Sequence, residues 1–294
     1  FTFPHDAYAT TIPNDPSFSF LMPIFSQIGV LRAWDRTTGS PNIIVAVIDS
    51  GVDVNHPDLK ENIWVNSAER FNGLDDDNNG YIDDSNGWDF VGKDSNVVPD
   101  TGIDVVTGKA YDAIGISHGT IVAGLVGAVG NNGLDAVGVA MKVKIMALKA
   151  IDNHGEGDER NVIKAIDYAV ANHASIINLS FSGPEASAEL KSAIKRANSA
   201  GVLVVVAAGN DRESGNGDLD FSPKFPVCID KGGNEDLVVG VGAVDENDTI
   251  TAFTNLGSCI DIVAPGTHIA STVFFDPTKE QFKKSFDGYY SGTS

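Results

Sequence analysis

The stretch Ile43-Ile44-Val45-Ala46-Val47-Ile48 leads directly into Asp49-Ser50-Gly51. A continuous apolar run rich in β-branched residues predicts a strand that is covered on both faces, as the strands of parallel sheets are. Further strands of this kind are predicted at 143–148, 175–179, 202–207, 237–241 and 259–263, with helical patterns at 117–129, 158–170 and 185–200. This alternation predicts an α/β fold, a mainly parallel sheet with helices on both faces.

Polar residues follow two of the predicted strands closely. Asp49 comes directly after the first strand, and Asn210 lies within a few residues of the run 202–207. In open parallel sheets, ligands and reactive groups collect at the carboxyl ends of the strands. Position alone therefore makes both residues candidates for a functional site.

The charge of the chain restricts its partners. Lys and Arg number 20 against 40 Asp and Glu, a formal net charge of −20. Such a surface argues against nucleic acid or an anionic membrane as a partner, and it favours cation binding or simple solubility. No stretch approaches the roughly 18 uninterrupted apolar residues of a membrane span.

The organisation along the chain indicates one domain over residues 1–294. Residues 1–24 have little periodicity and are expected to form an N-terminal arm, and residues 66–112 are an Asp-rich insertion. The chain starts at Phe1 without a Met or a leader, so a processed or excised start is expected. Cys228 and Cys259 are expected to be free structural thiols, with a disulfide as the alternative.

Three triplets supply an acid, a base and a nucleophile: Asp49-Ser50-Gly51, His118-Gly119-Thr120 and Gly292-Thr293-Ser294. A serine hydroxyl is a weak nucleophile until an imidazole takes its proton, and a buried carboxylate holds that imidazole in the right tautomer. Each triplet alone is also typical of capping and turn residues. Together and in this order they predict nucleophilic catalysis.

The flanks of these triplets resemble those of the subtilisin-like serine peptidases (subtilases), from about Asn14 to the last residue. The similar segments are Ile44–Val52, His56-Pro57-Asp58-Leu59, Ser117–Gly124 and Ser291–Ser294. Many relatives have a second histidine where this chain has Ile121, a variation that leaves the catalytic residues intact. The resemblance implies a three-layer subtilisin-like fold and a serine endopeptidase in which Asp49 orients His118, and His118 takes the proton of Ser294.

The resemblance also implies how a substrate is held. The side-chain amide of Asn210 would donate to the oxyanion, although an Asn after Gly is otherwise a common turn residue. Two backbone edges would clamp an extended polypeptide substrate, and a third segment would form a wall of the pocket beside the scissile bond. These segments are Gly155-Glu156-Gly157, Ser180-Phe181-Ser182-Gly183 and Ala207-Ala208-Gly209. Ordinary glycine loops are the alternative.

The insertion contains a pattern typical of calcium loops. Asp75, Asp77 and Asn79 alternate and precede Gly80, and Asp83 and Asp84 follow. Closely spaced carboxylates repel one another unless a cation such as Ca²⁺ neutralises them. Asn86 stands where an EF-hand has Glu, so this is not an EF-hand, and a solvated acidic loop is the alternative.

A second calcium site is implied by resemblance to thermitase-like subtilases. Asp15, Asp58 and Asn132 would supply its side-chain ligands, with backbone carbonyls near Val129, Leu134 and Ala136. Such a site would fasten the N-terminal arm to the body of the domain. Asn131 is an alternative to Asn132, because the sequence does not fix which of these neighbouring residues faces the ion.

The resemblance further implies a secreted, monomeric enzyme whose folding needs a propeptide outside this chain. A long helix would follow the serine, so we expect the sequence to lack the C-terminal part of the domain after residue 294. A polypeptide of these residues alone is then expected to be inactive. The alternatives are a catalytically inactive subtilase-like binding module and a calcium-dependent adhesion module, suggested by the acidic insertion and the charge.

Overall fold

Alternating strands and helices organise the part of the chain that the computed structural model describes, residues 12–104 and 107–294. The strands are β1 Gly39–Asp49, β2 Gly87–Asp89, β3 Lys142–Lys149, β4 Ile176–Leu179, β5 Leu203–Ala207, β6 Val239–Val244, β7 Ile262–Pro265, β8 Ile269–Thr272 and β9 Phe286–Tyr290. The helices of more than one turn are α1 Phe18–Gln27, α2 Val30–Trp34, α3 Ala113–Gly127, α4 Glu159–Ala171 and α5 Ala188–Ser199.

A seven-stranded sheet in the order β2-β3-β1-β4-β5-β6-β7 forms the centre of the molecule, and its pairings are parallel. Strands β8 and β9 form a separate antiparallel pair. Because all strands of the large sheet run the same way, their carboxyl ends lie at one edge. This edge carries Asp49 at the end of β1 and Asn210 shortly after β5.

The sheet is covered on both faces, which explains the uninterrupted apolar sequence of β1. Successive side chains of a strand point to opposite faces. Ala46 and Ile48 pack in one core cluster with residues of α4 and α5, whereas Val45 and Val47 pack in a second cluster with residues of α3. The predicted three-layer α/β fold is therefore confirmed.

The helices begin where the sequence supplies a capping side chain. Asp112, Asp158 and Ser187 accept hydrogen bonds from the backbone N–H groups at the starts of α3, α4 and α5. Such caps satisfy backbone donors that have no partner within the helix. The cap at Asp158 was predicted, whereas α3 begins before the predicted start at residue 117.

The N-terminal segment is more ordered than the predicted arm. Residues 1–11 of that arm lie outside the described residues, but α1 occupies part of the rest. Its Phe18 and Phe25 pack with Trp34 of α2 in a buried aromatic cluster. The sequence did not reveal this helix. Its residues are largely apolar and include Pro23, so no alternation of polar and apolar faces marks the segment as helical.

The expectation of free thiols was wrong. Cys228 and Cys259 form a disulfide, and both residues are buried in the main core cluster. Pairing depends on how two distant segments approach in space, which sequence spacing does not reveal. No helix within residues 12–104 and 107–294 has the length and apolar character needed to cross a bilayer.

Candidate active site

The Asp49–His118 pair lies where the end of β1 meets α3. The Nδ1 atom of His118 is 2.7 Å from Oδ1 of Asp49, and the same oxygen accepts a 2.7 Å hydrogen bond from the N–H of Ser50. Asp49 is 3% exposed, whereas the His118 side chain is 29% exposed. With Nδ1–H donating to the carboxylate, Nε2 is left as the proton acceptor on the solvent side.

The charge of Asp49 also tunes the imidazole. The carboxylate raises the pKa of His118, burial lowers it, and the carboxylate dominates. The pair therefore favours the protonated imidazole that forms when His118 accepts a proton.

Gly119 allows this close approach of helix and strand. A Cβ atom at residue 119 would lie 2.2 Å from the carbonyl oxygen of Gly51 and 3.2 Å from Cβ of Asp49. A real Cβ does not approach a backbone oxygen to 2.2 Å. The glycine after His118 is thus required for the helix to bring the imidazole to Asp49.

Asn153 connects the same two segments and was not anticipated from the sequence. It is fully buried, and its Nδ2 donates to the carbonyl oxygens of Ser50 at 2.9 Å and Gly115 at 3.2 Å. The hydroxyl of Ser50 donates to Gly115 as well, at 2.7 Å. These bonds tie the end of β1 to the first turn of α3. An Asn in a polar loop carries no sequence signal for such a role.

A buried lysine lies beside Asp49 in the sheet, since Lys149 of β3 is its register partner. The Lys149 side chain is 1% exposed, and its Nζ contacts Asp100 and is 3.1 Å from Oδ2 of Asp89. Burial disfavours the lysine charge, but the two carboxylates outweigh it and raise the pKa of Lys149. The ion-pair group therefore fixes the strand end behind the site.

Ser294, His118 and Asn210 line one cavity of about 410 Å³. The Ser294 hydroxyl donates to the carbonyl oxygen of Ser180 at 3.2 Å, and no hydrogen bond joins it to His118 among the described residues. The N–H of Thr293 donates to Oδ1 of Asn210 at 3.1 Å. The structure thus brings the predicted base, nucleophile and amide to one cavity beside the predicted acid, with the Ser294 hydroxyl bonded to Ser180 rather than to the imidazole.

The predicted substrate edges border clefts beside this cavity. Gly155, Gly157, Phe181, Ser182 and Gly183 line a cleft of about 270 Å³. Gly155, Ser180 and Phe181 line a second cleft of about 240 Å³ together with Asp49 and His118. Ala207 and Ser180 line a third, of about 190 Å³, with Ser294. Glu156 is exposed, Ala208 is buried, and Gly209 has a φ of +91°.

The acidic insertion gathers three carboxylates, from Glu69, Asp77 and Asp84, with oxygens within 4.8 Å of one another. Asn79 reaches this group, since its Nδ2 donates to Asp77 and Asp84. Glu69 was not among the predicted ligands, because it precedes the Asp-rich loop in sequence.

Two predicted ligands lie outside that three-carboxylate group. Asp75 accepts hydrogen bonds from the N–H groups of Asn79 and Gly80, and Asp83 accepts from those of Asn72 and Gly73. Their carboxylates shape the turns of the insertion.

The second predicted set also comes together. Asp15 and Asp58 are 3% and 1% exposed, and Asn132 bridges them, its N–H bonding Asp15 and its Nδ2 bonding Asp58. Burial raises the pKa of Asp58, and the charges of Asp135 and Asp15 add to the rise. Buried carboxylates that repel one another suit a bound cation.

Comparison with known proteins gives consistent results. The Subtilase family model matches residues 40–294. Subtilisin-like protease 1 of Plasmodium falciparum is 34% identical over 244 residues, covering 78% of this chain and 33% of that protein. Thermitase of Thermoactinomyces vulgaris is 33% identical over 260 residues, covering 88% of this chain and 75% of thermitase. Subtilisin E of Bacillus subtilis is 33% identical over 237 residues, covering 80% and 49%.

Among solved structures, a cold adapted subtilisin-like serine proteinase superposes with a TM-score of 0.57 at 26% identity, covering 86% of this chain and 70% of that one. The chain thus spans a third of the length of the Plasmodium relative and about half of subtilisin E.

Proposed function

This chain is a member of the subtilase family, and from that premise we propose that it hydrolyses peptide bonds in proteins as a serine endopeptidase. The observation that carries the proposal is the hydrogen bond between Asp49 and His118 beside a cavity that Ser294 also lines. A buried carboxylate, an imidazole with a free Nε2 and a hydroxyl within one cavity are the parts that acyl transfer to serine needs.

The proposed reaction begins with rotation of the Ser294 side chain toward His118. Nε2 takes the hydroxyl proton as Oγ bonds to the peptide carbonyl carbon, and the imidazolium then gives that proton to the leaving amine. Water, deprotonated by the same Nε2, attacks the acyl-enzyme, and the proton returns to Oγ as the acid leaves. The Asp49 carboxylate keeps its hydrogen bond to Nδ1 and stabilises the imidazolium throughout.

Asn210 is proposed to stabilise the negative oxygen of the tetrahedral intermediate. Its Oδ1 is engaged by the N–H of Thr293, which leaves Nδ2 as the donor on the cavity side. A single donor of this kind lowers the barrier by roughly 3–4 kcal/mol.

Polypeptides in extended conformation are the proposed substrates. The edges 155–157 and 180–183 border the clefts next to His118, and both are rich in small residues that expose backbone groups. Backbone pairing along two edges binds a peptide with little demand on its side chains. We therefore propose broad specificity.

Calcium is proposed at two sites, where it would neutralise buried carboxylates and stabilise the fold. The residues fit, because Glu69, Asp77 and Asp84 converge in the insertion and Asp15 and Asp58 are buried close to Asn132. Hard oxygen ligands of this type are those that Ca²⁺ prefers. The second site would link the segment before α1 to the loop after α3.

We propose that the protein is secreted. The disulfide Cys228–Cys259 supports it, since such bonds persist in oxidising compartments. We also propose that the chain forms one peptidase domain, acts as a monomer and requires a propeptide. The continuous seven-stranded sheet supports the single domain. No specific observation favours an inactive binding module or an adhesion module.

Burst kinetics with an activated ester test the proposed mechanism. The wild type should release a stoichiometric burst of product, and His118→Asn should abolish it. His173→Asn, at an exposed histidine between α4 and β4 and so at the opposite edge of the sheet, is the matched control and should keep the burst. A normal burst from His118→Asn would overturn the assignment.

A further inference from the structure

Asn255 is a fully buried polar residue in the segment between β6 and β7. A buried amide must have its hydrogen-bonding groups satisfied, so its partners indicate what holds it in place. Within the described residues, the side chain of Asn255 hydrogen-bonds to Ala208 and Asp211, in the loop that follows β5 and carries Asn210.

Four hydrogen bonds connect Asn255 to this loop. Its Nδ2 donates to the carbonyl oxygen of Ala208 at 2.9 Å and to Oδ2 of Asp211 at 3.0 Å. Its Oδ1 accepts from the N–H of Asp211 at 2.8 Å, and its own N–H donates to the carbonyl oxygen of Gly209 at 2.9 Å. These bonds lie on both sides of Asn210, which is itself exposed.

The backbone of the loop depends on such an external support. Gly209 has a φ of +91°, whereas residues in a β-strand have a negative φ. A Cβ atom at residue 209 would lie 2.6 Å from Nδ2 of Asn255. The amide therefore packs directly against the glycine. Because both donors and the acceptor of Asn255 are used, its position fixes the turn that presents Asn210.

Asn255 is in turn anchored to the sheet. The neighbouring Thr254 accepts a 3.0 Å hydrogen bond at Oγ1 from the N–H of Ala243 in β6, and the N–H of Leu256 donates to Gly217 at 2.9 Å. The support thus connects the loop to a strand of the sheet. An oxyanion donor must be held within a few tenths of an ångström of its productive position, and displacement of about 1 Å costs roughly 10²-fold in rate.

We propose that Asn255 is a positioning residue for Asn210, holding the loop 208–211 so that the Asn210 amide meets the oxyanion. The inference rests on the proposed function, since it concerns the same reaction. Asp211 takes part by accepting one of the Asn255 donors, while its other carboxylate oxygen lies 3.4 Å from Nζ of Lys224.

A double-mutant cycle on the native protein tests the proposal. Asn210→Ala should lower kcat by roughly 10²–10³-fold. Asn255→Ala should lower kcat by roughly 10–10²-fold with little change in KM, because it displaces the donor without touching the substrate. Combined, the two changes should be no worse than Asn210→Ala alone within about threefold.

Asn62→Ala is the matched control. Asn62 is also a buried asparagine whose Nδ2 bridges two carbonyl oxygens, those of Gly127 and Met141, away from the loop. Asn62→Ala should lower the stability of the protein, and its small effect on kcat should be the same in the wild type and in Asn210→Ala. If Asn255→Ala does not fold, Asn255→Thr replaces it in the cycle, because threonine keeps one donor and one acceptor. Its loss of kcat should be smaller, and it should again not add to the loss caused by Asn210→Ala.

Additive losses of Asn255 and Asn210 would overturn the proposal, as would a rise in KM with unchanged kcat. Either result would leave the peptidase assignment standing if the wild type forms an acyl-enzyme. A wild type without an acyl-enzyme would instead overturn the proposed function.

Discussion

Replacing both cysteines by alanine should destabilise the protein by an amount that the structure sets. The bond joins residues 31 positions apart. Opening a loop of this length in the unfolded chain corresponds to an entropy of about 12 cal/mol/K, or about 3.7 kcal/mol at 25 °C. The double variant Cys228→Ala/Cys259→Ala should therefore lose at least about 3–4 kcal/mol of unfolding free energy.

Packing makes a second, separable contribution. Cys228 and Cys259 are 2% and 7% exposed, so each alanine also removes a buried sulfur from the core. Cys228→Ala alone breaks the bond but keeps the second sulfur, and its loss should fall close to the loop-closure figure. Dithiothreitol should destabilise the wild type by a similar amount and leave the double variant unchanged.

The assay is urea denaturation followed by tryptophan fluorescence, in a Ser294→Ala background that prevents self-digestion. The bonded and unbonded proteins are compared at equal concentration and pH. A loss below about 1 kcal/mol in the double variant would show that the unfolded chain gains little freedom without the bond. That result would contradict the reasoning.

Three further outcomes are expected. Asp49→Asn should lower kcat by about 10⁴-fold. Because the charge of Asp49 raises the pKa of His118, this variant should also shift the acid limb of the kcat/KM profile to lower pH. An acid limb at the wild-type pH would contradict this. Glu69→Gln should weaken calcium binding measured by calorimetry, and unchanged affinity would remove Glu69 from the proposed site. Lys149→Met leaves Asp89 buried without its cation and should lower the free energy of unfolding, measured by urea denaturation, by roughly 3–5 kcal/mol. A loss under about 1 kcal/mol would show that the Lys149–Asp89 ion pair does not stabilise the fold.

The parts of the fold that the sequence predicts are those with a strong local pattern. The run 43–48 is apolar because both faces of β1 are covered, and Asp158 caps α4 within one turn of the helix it starts. In each case the physical cause lies within a few residues of the signal. Local pattern and tertiary structure therefore agree at these positions.

Elements without such a pattern were not predicted. Strand β2 has three residues, Gly87–Asp89, inside an Asp-rich insertion, and it forms because β3 offers an edge for pairing. Helix α1 has apolar residues around much of its circumference. Neither element can be read from period alone.

The candidate site divides in the same way. Asp49, His118 and Ser294 stand in segments with distinctive flanks, so the sequence alone indicates them. Asn153 and Asn255 act through hydrogen bonds to backbone groups far away in sequence, and their identity as asparagine carries no hint of those partners. Such positioning residues become visible only when the loops are seen together.

Labelling with a fluorophosphonate probe tests the central claim most directly. The native protein is treated with the probe, digested and analysed by mass spectrometry, beside the His118→Asn variant. The proposed mechanism predicts a phosphonyl adduct on Ser294 of the wild type and almost none on the variant, since the hydroxyl then lacks its base. Folded wild-type protein whose Ser294 stays unlabelled, or equal labelling of the variant, would contradict it.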